Sequence, residues 1–197
     1  MALLDMIQQR LDPRAVQQIG QRIGAEPGQT NQAINAAIPM LVAAMANNAS
    51  DPARASGLAH ALEQDHDGGL LDDLQGYLAG GAAGRAADGQ GILEHVLGDR
   101  RSTVEQGLGK GTGLGAAQMA QLLPLLAPLV MAALGRMKRQ QGLDAGGLAG
   151  VLGGEREQIQ RRAPGLMGAL GGLLDRDKDG SVVDDLGGML GGILGRR

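Results

Sequence analysis

The chain has 197 residues, a formal net charge of −3, a single aromatic residue (a tyrosine) and no cysteine. The mildly acidic balance gives no electrostatic basis for nucleic-acid binding, and the lack of aromatic side chains removes the platforms on which single-stranded bases stack. The lack of cysteine excludes disulfides and cysteine metal sites. The N-terminus has no basic segment followed by a long apolar run, so we expect no signal peptide and a cytoplasmic location.

Helical periodicity begins at the N-terminus and continues through the chain. Apolar residues three and four positions apart predict helices over residues 3–11, 13–23, 30–48 and 52–62 in the first half. The same signal predicts helices over 92–97, 102–108, 116–140, 145–152, 155–174 and 182–194 in the second half. Asp12-Pro13 and Asp51-Pro52 each place an N-cap carboxylate before a first-turn proline. Because no run alternates β-branched with polar residues, the predicted fold is all-α.

The two halves resemble copies of one module. Residues 39–45 and 128–134 share a proline and a pair of alanines at a constant spacing of 89, and Ile19-Gly20 matches Leu108-Gly109 at the same spacing. We therefore predict two tandem helical repeats, over 1–84 and 85–197, with the break in the stretch rich in small residues at 80–91. A duplicated module with an exposed apolar face buries it on its twin, so we expect one compact unit with 34–45 and 122–134 at its centre.

Each half also contains an acidic loop with the spacing of the first half of an EF-hand. The Asp175 loop (residues 175–186) has carboxylates at positions 1, 3 and 5 and glycine at position 6, the arrangement that turns several hard oxygens toward one Ca²⁺. Its candidate metal ligands are Asp175, Asp177, Asp179, Ser181, Asp184 and Asp185. The Glu63 loop (residues 63–74) repeats the pattern with Glu63, Asp65, Asp67, Asp72 and Asp73.

The calcium hypothesis has a simpler alternative. Both loops have leucine at position 12, where an EF-hand has its bidentate glutamate, and aspartates also make turns and cap helices without any metal. After the Asp175 loop, apolar residues at 186, 189, 190, 193 and 194 form one face of a glycine-rich helix. That face packs within the chain or binds a partner, either an unknown protein or a second copy of the chain.

Signatures of enzymes are missing from the sequence. The three histidines, His60, His66 and His95, form no paired zinc motif, and no serine lies in a Gly-x-Ser-x-Gly turn. His66 is expected to be a solvated loop residue, with a role as a pH-sensitive ligand as the alternative. The sequence favours a non-enzymatic interaction or scaffold module. Two other classes stay open, an enzyme that uses the acidic-loop carboxylates with a metal and a membrane-associated protein.

The membrane alternative depends on residues 116–137, which are uncharged up to Arg136 and about as long as a membrane span. Two glutamines and two prolines interrupt this apolar stretch, and no second stretch of the kind occurs. We therefore expect a buried central helix and no membrane contact.

Three stretches, residues 91–98, 122–130 and 175–185, resemble the YidB-like family of bacterial proteins, a domain of unknown function. They cover much of the second half, and the first half is covered more loosely through the repeat. The resemblance implies a soluble, multihelical bacterial protein. It supplies no activity, so it assigns no catalytic residue.

Overall fold

The computed structural model describes residues 3–81 and 84–162, and these residues form helices without a strand, which confirms the all-α prediction. The Asp175 loop, its following apolar stripe and the helix predicted beyond residue 162 lie outside the described residues. Short 3₁₀ turns cover Gly69–Leu71, Arg85–Ala87 and Gly98–Arg100. The α-helices are α1 (Leu3–Arg10), α2 (Pro13–Ile23), α3 (Pro27–Ala49), α4 (Pro52–Gln64), α5 (Leu74–Leu78), α6 (Gly89–Leu97), α7 (Arg101–Thr112), α8 (Ala116–Gln141) and α9 (Ala145–Arg162).

The two Asp-Pro pairs begin helices as predicted. Asp12 accepts a hydrogen bond from the amide of Ala15, and Asp51 accepts one from the amide of Arg54. Each bond satisfies one of the amides that a helix leaves free in its first turn, and the proline that follows occupies a position where no amide hydrogen is needed. Helix α2 ends at Gly24, whose φ of +65° is a left-handed conformation that suits glycine.

Helices α3 and α8 form the centre of the core, as the apolar runs predicted. Their residues 37–46 and 122–135 are buried almost without exception. Helices from both halves of the chain cover them: α9 packs along α3, α6 and α1 pack on α8, and α7 contacts both. Every leucine, isoleucine, valine and methionine in the described residues is at least partly buried. The described body is therefore closed around a continuous apolar interior.

One packing detail recurs in both halves. A Cβ atom on Gly20 would lie 2.8 Å from the carbonyl oxygen of Ala25, and one on Gly109 would lie 2.9 Å from that of Leu114. Glycine therefore allows the chain that follows α2, and the chain that follows α7, to fold back onto its helix. This is the geometry that two copies of one module would share. The duplication and its boundary at residue 84 stay predictions.

Two elements differ from the predicted ones. Helix α9 is continuous where the sequence predicted a break near Gly153-Gly154, because each glycine costs only about 1 kcal/mol in a helix and still donates its amide hydrogen. The short helix α5 was not predicted. A tertiary contact stabilises this helix, since the hydroxyl of Tyr77 donates a hydrogen bond of 3.0 Å to the carbonyl of Leu125 in α8.

Helix α8 is the one helix in the described part of the chain that is long and apolar enough to cross a membrane. In its most apolar window, 72% of the residues are buried against the rest of the protein. Membrane association through this helix would require it to leave the core.

Candidate functional site

The Glu63 loop connects α4 to α5 and lies against the C-terminal end of α8. Its turn is made by Gly68, which has a φ of +87°, as the glycine at position 6 of the motif predicted. The loop approaches α8 so closely that a Cβ on Gly135 would lie 1.8 Å from the carbonyl oxygen of His66. A glycine at position 135 is therefore what lets this loop sit on the helix.

The carboxylate of Glu63 is paired with a buried lysine. The Nζ atom of Lys138 lies 2.5 Å from Oε1 of Glu63, and the lysine side chain is 10% exposed. The hydrogen bond from Lys138, together with its positive charge, lowers the pKa of Glu63 below the usual range. Glu63 is thus held as an anion next to a cation of its own chain.

Asp72 is paired with arginine in a similar way. Nη2 of Arg136 lies 2.6 Å from Oδ1 of Asp72 and also donates a hydrogen bond of 2.8 Å to the carbonyl oxygen of Gly68. The hydrogen bond and charge of Arg136 lower the pKa of Asp72, with a smaller contribution from Arg10, whose Nη2 is 4.0 Å away. One guanidinium therefore binds a side-chain oxygen and a backbone oxygen of the same loop.

The two central aspartates make longer ion pairs. Asp65 lies 3.8 Å from Arg85, and Asp67 lies 3.8 Å from Arg139, measured between nitrogen and oxygen. Asp67 also accepts a hydrogen bond of 2.9 Å from the amide of Gly69, which stabilises the turn. Exposed ion pairs at this distance contribute little to the free energy of unfolding. With the pairs of Glu63 and Asp72, they mean that four loop carboxylates each face a basic side chain.

Asp73 has the role that the simpler alternative assigned to these residues. Its Oδ1 atom accepts a hydrogen bond of 2.9 Å from the amide of Gly76 and caps α5. The five predicted ligands therefore lie in one loop, but their side chains do not turn toward one point. Within residues 3–81 and 84–162, the structure contains no group of three acidic or histidine side chains that could hold a metal ion. Calcium binding by the Glu63 loop stays a prediction.

The candidate ligands of the second loop fall outside the described residues. They are Asp175, Asp177, Asp179, Ser181, Asp184 and Asp185.

The basic partners of the Glu63 loop were missed in the sequence. Lys138 and Glu63 are 75 residues apart, so no local spacing links them. The available signal was three basic residues at 136, 138 and 139 near the end of a long apolar helix, where the helix dipole favours cations. That signal indicates a solvated helix end as readily as a docking site.

The expectation for His66 was wrong. The residue is 6% exposed, because the loop that holds it lies directly on α8. Burial lowers the pKa of His66, and the nearby charge of Asp65 opposes the shift. Its Nδ1 atom has no hydrogen-bond partner among the described residues. His60 and His95 are exposed.

A pocket of about 280 Å³ lies between the α1–α2 junction and the loop. Two of the aspartates that line it, Asp12 and Asp73, already cap helices. No histidine in the described part of the chain is hydrogen-bonded to a hydroxyl group, the arrangement that activates a serine or threonine nucleophile.

Comparison with known proteins assigns the chain to a family without assigning an activity. No curated protein and no solved structure matches the chain. The model of a family described as a bacterial protein of unknown function (DUF937) matches residues 5–137, which include most of α1, all of α2 to α7 and most of α8. Because that match covers more than half of the sequence, the chain belongs to this bacterial family.

Proposed function

We propose that this protein is a non-enzymatic interaction or scaffold module that binds calcium through its Asp175 loop. The observation that carries the proposal is how the same acid pattern is neutralised in the Glu63 loop, where four carboxylates each face a basic side chain. Packed carboxylates repel one another, so a loop of this kind requires cations from its own chain or from solution.

The cations of the Glu63 loop have no counterparts at the repeat-related positions of α3. With the spacing of 89 that relates α3 to α8, the positions of Arg136, Lys138 and Arg139 correspond to Asn47, Ala49 and Ser50. The position of Arg10 corresponds to Asp99. An Asp175 loop with equivalent surroundings would therefore lack these four positive charges, and Ca²⁺ is a ligand suited to several flexible oxygens.

The non-enzymatic part of the proposal is supported by the closed body. No leucine, isoleucine, valine or methionine of the described surface is more than partly exposed, and the charged side chains around its pocket are engaged in helix caps and ion pairs. A partner surface is therefore expected from the apolar positions between 186 and 194, which the sequence arranges on one helical face. An unknown protein or a second copy of the chain would bind there.

A thermal melt of chelator-treated protein tests the calcium proposal. Binding to the folded state alone stabilises it by about 2.7 kcal/mol when Ca²⁺ is at 100 times Kd, which raises Tm by several degrees in a chain of this size. We expect a smaller rise with Mg²⁺, because that ion demands a compact octahedral cage.

Two double variants identify the loop responsible. Asp177→Ala with Asp179→Ala should abolish the rise in Tm and the heat of binding in a calorimetric titration. The matched variant, Asp65→Ala with Asp67→Ala, should keep both. Equal melts of the unmodified protein in Ca²⁺ and in chelator, with no heat of binding, would disprove calcium binding.

Light scattering with and without Ca²⁺ tests self-association, and a pull-down from the native host identifies any other partner.

A further inference from the structure

We infer that Arg136, Lys138 and Arg139 are the resident cations of the Glu63 loop, and that they close this loop in place of Ca²⁺. The two acidic loops would then differ in function although they share a motif. The inference extends the proposed function but does not depend on calcium binding by the Asp175 loop.

The contacts of Arg136 are those that a bound cation would make. In EF-hand loops Ca²⁺ takes both carboxylate and backbone carbonyl oxygens. Arg136 binds one oxygen of each kind, Oδ1 of Asp72 and the carbonyl of Gly68. Its side chain is 17% exposed and is fixed to the core helix, so this positive charge is permanently present in the loop.

Lys138 makes exchange for a metal ion unfavourable. For Ca²⁺ to recruit Glu63, the loop would have to release Lys138, whose side chain is 10% exposed. Glu63 itself is 59% exposed, but its release would leave the nearly buried ammonium of Lys138 without its carboxylate partner, and this is unfavourable. The lysine therefore retains Glu63 unless its ammonium group can move into water.

The close approach of the backbones keeps the three cations within reach. Gly135 and Gly68 each lack a Cβ where the loop meets α8, since a Cβ on Gly68 would lie 3.0 Å from Cβ of Arg136. The loop contacts α8 at Gly135, which precedes Arg136 by one residue and Lys138 by three. A wider separation would open the short ion pairs and leave room for solvent and for a metal ion.

The decisive experiment removes the other loop first. In full-length protein carrying Asp177→Ala and Asp179→Ala, we expect superimposable melts in chelator and in millimolar Ca²⁺, with no heat of calcium binding. The inference is overturned if this protein shows a Ca²⁺-dependent rise in Tm, or a heat of calcium binding, that the further changes Asp65→Ala and Asp67→Ala abolish. A response that these changes leave intact comes from another site and leaves Ca²⁺ off the Glu63 loop, as inferred.

Removing the cations should create a calcium site. In the same background, Arg136→Gln, Lys138→Gln and Arg139→Gln together should lower Tm in chelator, and Ca²⁺ at about 100 times Kd should raise it again by about 5 °C or more. The matched control is Arg14→Gln, Lys110→Gln and Arg156→Gln, three exposed basic residues that form no ion pair with the loop in the described part of the chain, which should gain no response.

A folded Arg136→Gln, Lys138→Gln, Arg139→Gln protein that does not respond to Ca²⁺ would refute the claim that these cations exclude the metal. If this variant does not fold, the first experiment still decides, because it leaves all three cations in place. Failure of the proposed function looks different: the protein with both loops intact would show no response to Ca²⁺ at all.

Discussion

The substitution Gly135→Ala tests how tightly the Glu63 loop sits on α8. Position 135 is inside the long helix α8, where alanine is favoured over glycine by about 1 kcal/mol on intrinsic helix propensity. Sequence reasoning alone would therefore expect stabilisation. The structure predicts the opposite, because the new Cβ would lie 1.8 Å from the carbonyl oxygen of His66 and 3.0 Å from its carbonyl carbon.

The size of the effect follows from that distance. Real Cβ atoms stay at least 3.0 Å from such an oxygen, so the loop has to retreat by about 1.2 Å. Overpacking typically costs about 1–3 kcal/mol, and the upper end applies here because the displaced atom belongs to the backbone. After subtracting the gain in helix propensity, we expect a loss of about 2 kcal/mol, or a fall in Tm of about 4–8 °C.

The assay is thermal unfolding followed by circular dichroism, with Gly57→Ala as the matched control. Gly57 lies in the exposed part of α4, and a Cβ there would meet nothing within 4 Å. This variant should gain about 1 kcal/mol and melt about 2–4 °C higher than the parent. If Gly135→Ala melts at or above the parent temperature, the loop does not sit on α8 as described, and the resident-cation inference fails with it.

Two pH profiles test the buried titratable groups. Burial lowers the pKa of His66, so its contribution to the free energy of unfolding is intact above about pH 6.5 and is lost as pH falls through the pKa of the folded protein. In denaturant titrations, His66→Gln should reduce this loss of stability at low pH, and His60→Gln should not. Burial raises the pKa of Tyr77 to about 12. Its contribution to the free energy of unfolding is therefore intact below about pH 10, and about 2–3 kcal/mol of that free energy is lost as pH rises to about 12. Tyr77→Phe should lack this alkaline loss. Because Tyr77 is the one tyrosine, phenolate absorbance of the folded protein reports it directly, and a midpoint near 10 would show that the ring is solvated.

Local sequence signals were sufficient for most of the fold. The Asp-Pro pairs predicted where α2 and α4 begin, since the cap and the first-turn proline act within three residues. The apolar runs predicted that α3 and α8 are central, because a helix that is apolar on nearly all sides has to be covered on all sides. Helix α5 was not predicted, since it is too short for periodicity and depends on the contact of Tyr77 with α8.

The candidate site was predicted only in part. The acid-acid-glycine spacing correctly indicated a sharp turn at Gly68, and the structure adds that this turn is left-handed. It could not indicate that Glu63 and Asp72 meet cations from α8, since those contacts depend on the path of the chain between them. The burial of His66 was missed for the same reason. The sequence pattern predicts a solvated histidine in an acidic loop, because the helix that covers it is not evident from the neighbouring residues.

The Glu63 loop shows why an acid-rich motif does not by itself specify a metal ion. The spacing of the acids determines which oxygens can turn toward one point, and it is the same in both loops. The ligand is determined by what the rest of the chain places opposite those oxygens. Opposite the Glu63 loop stand a buried ammonium and a guanidinium that already makes a bridge between side chain and backbone. The predicted repeat relates Arg136 to Asn47, which has no charge, so the Asp175 loop is predicted to depend on an external cation. On that prediction, exchanging Arg136 and Asn47 between the two helices should shift the calcium response from the Asp175 loop toward the Glu63 loop.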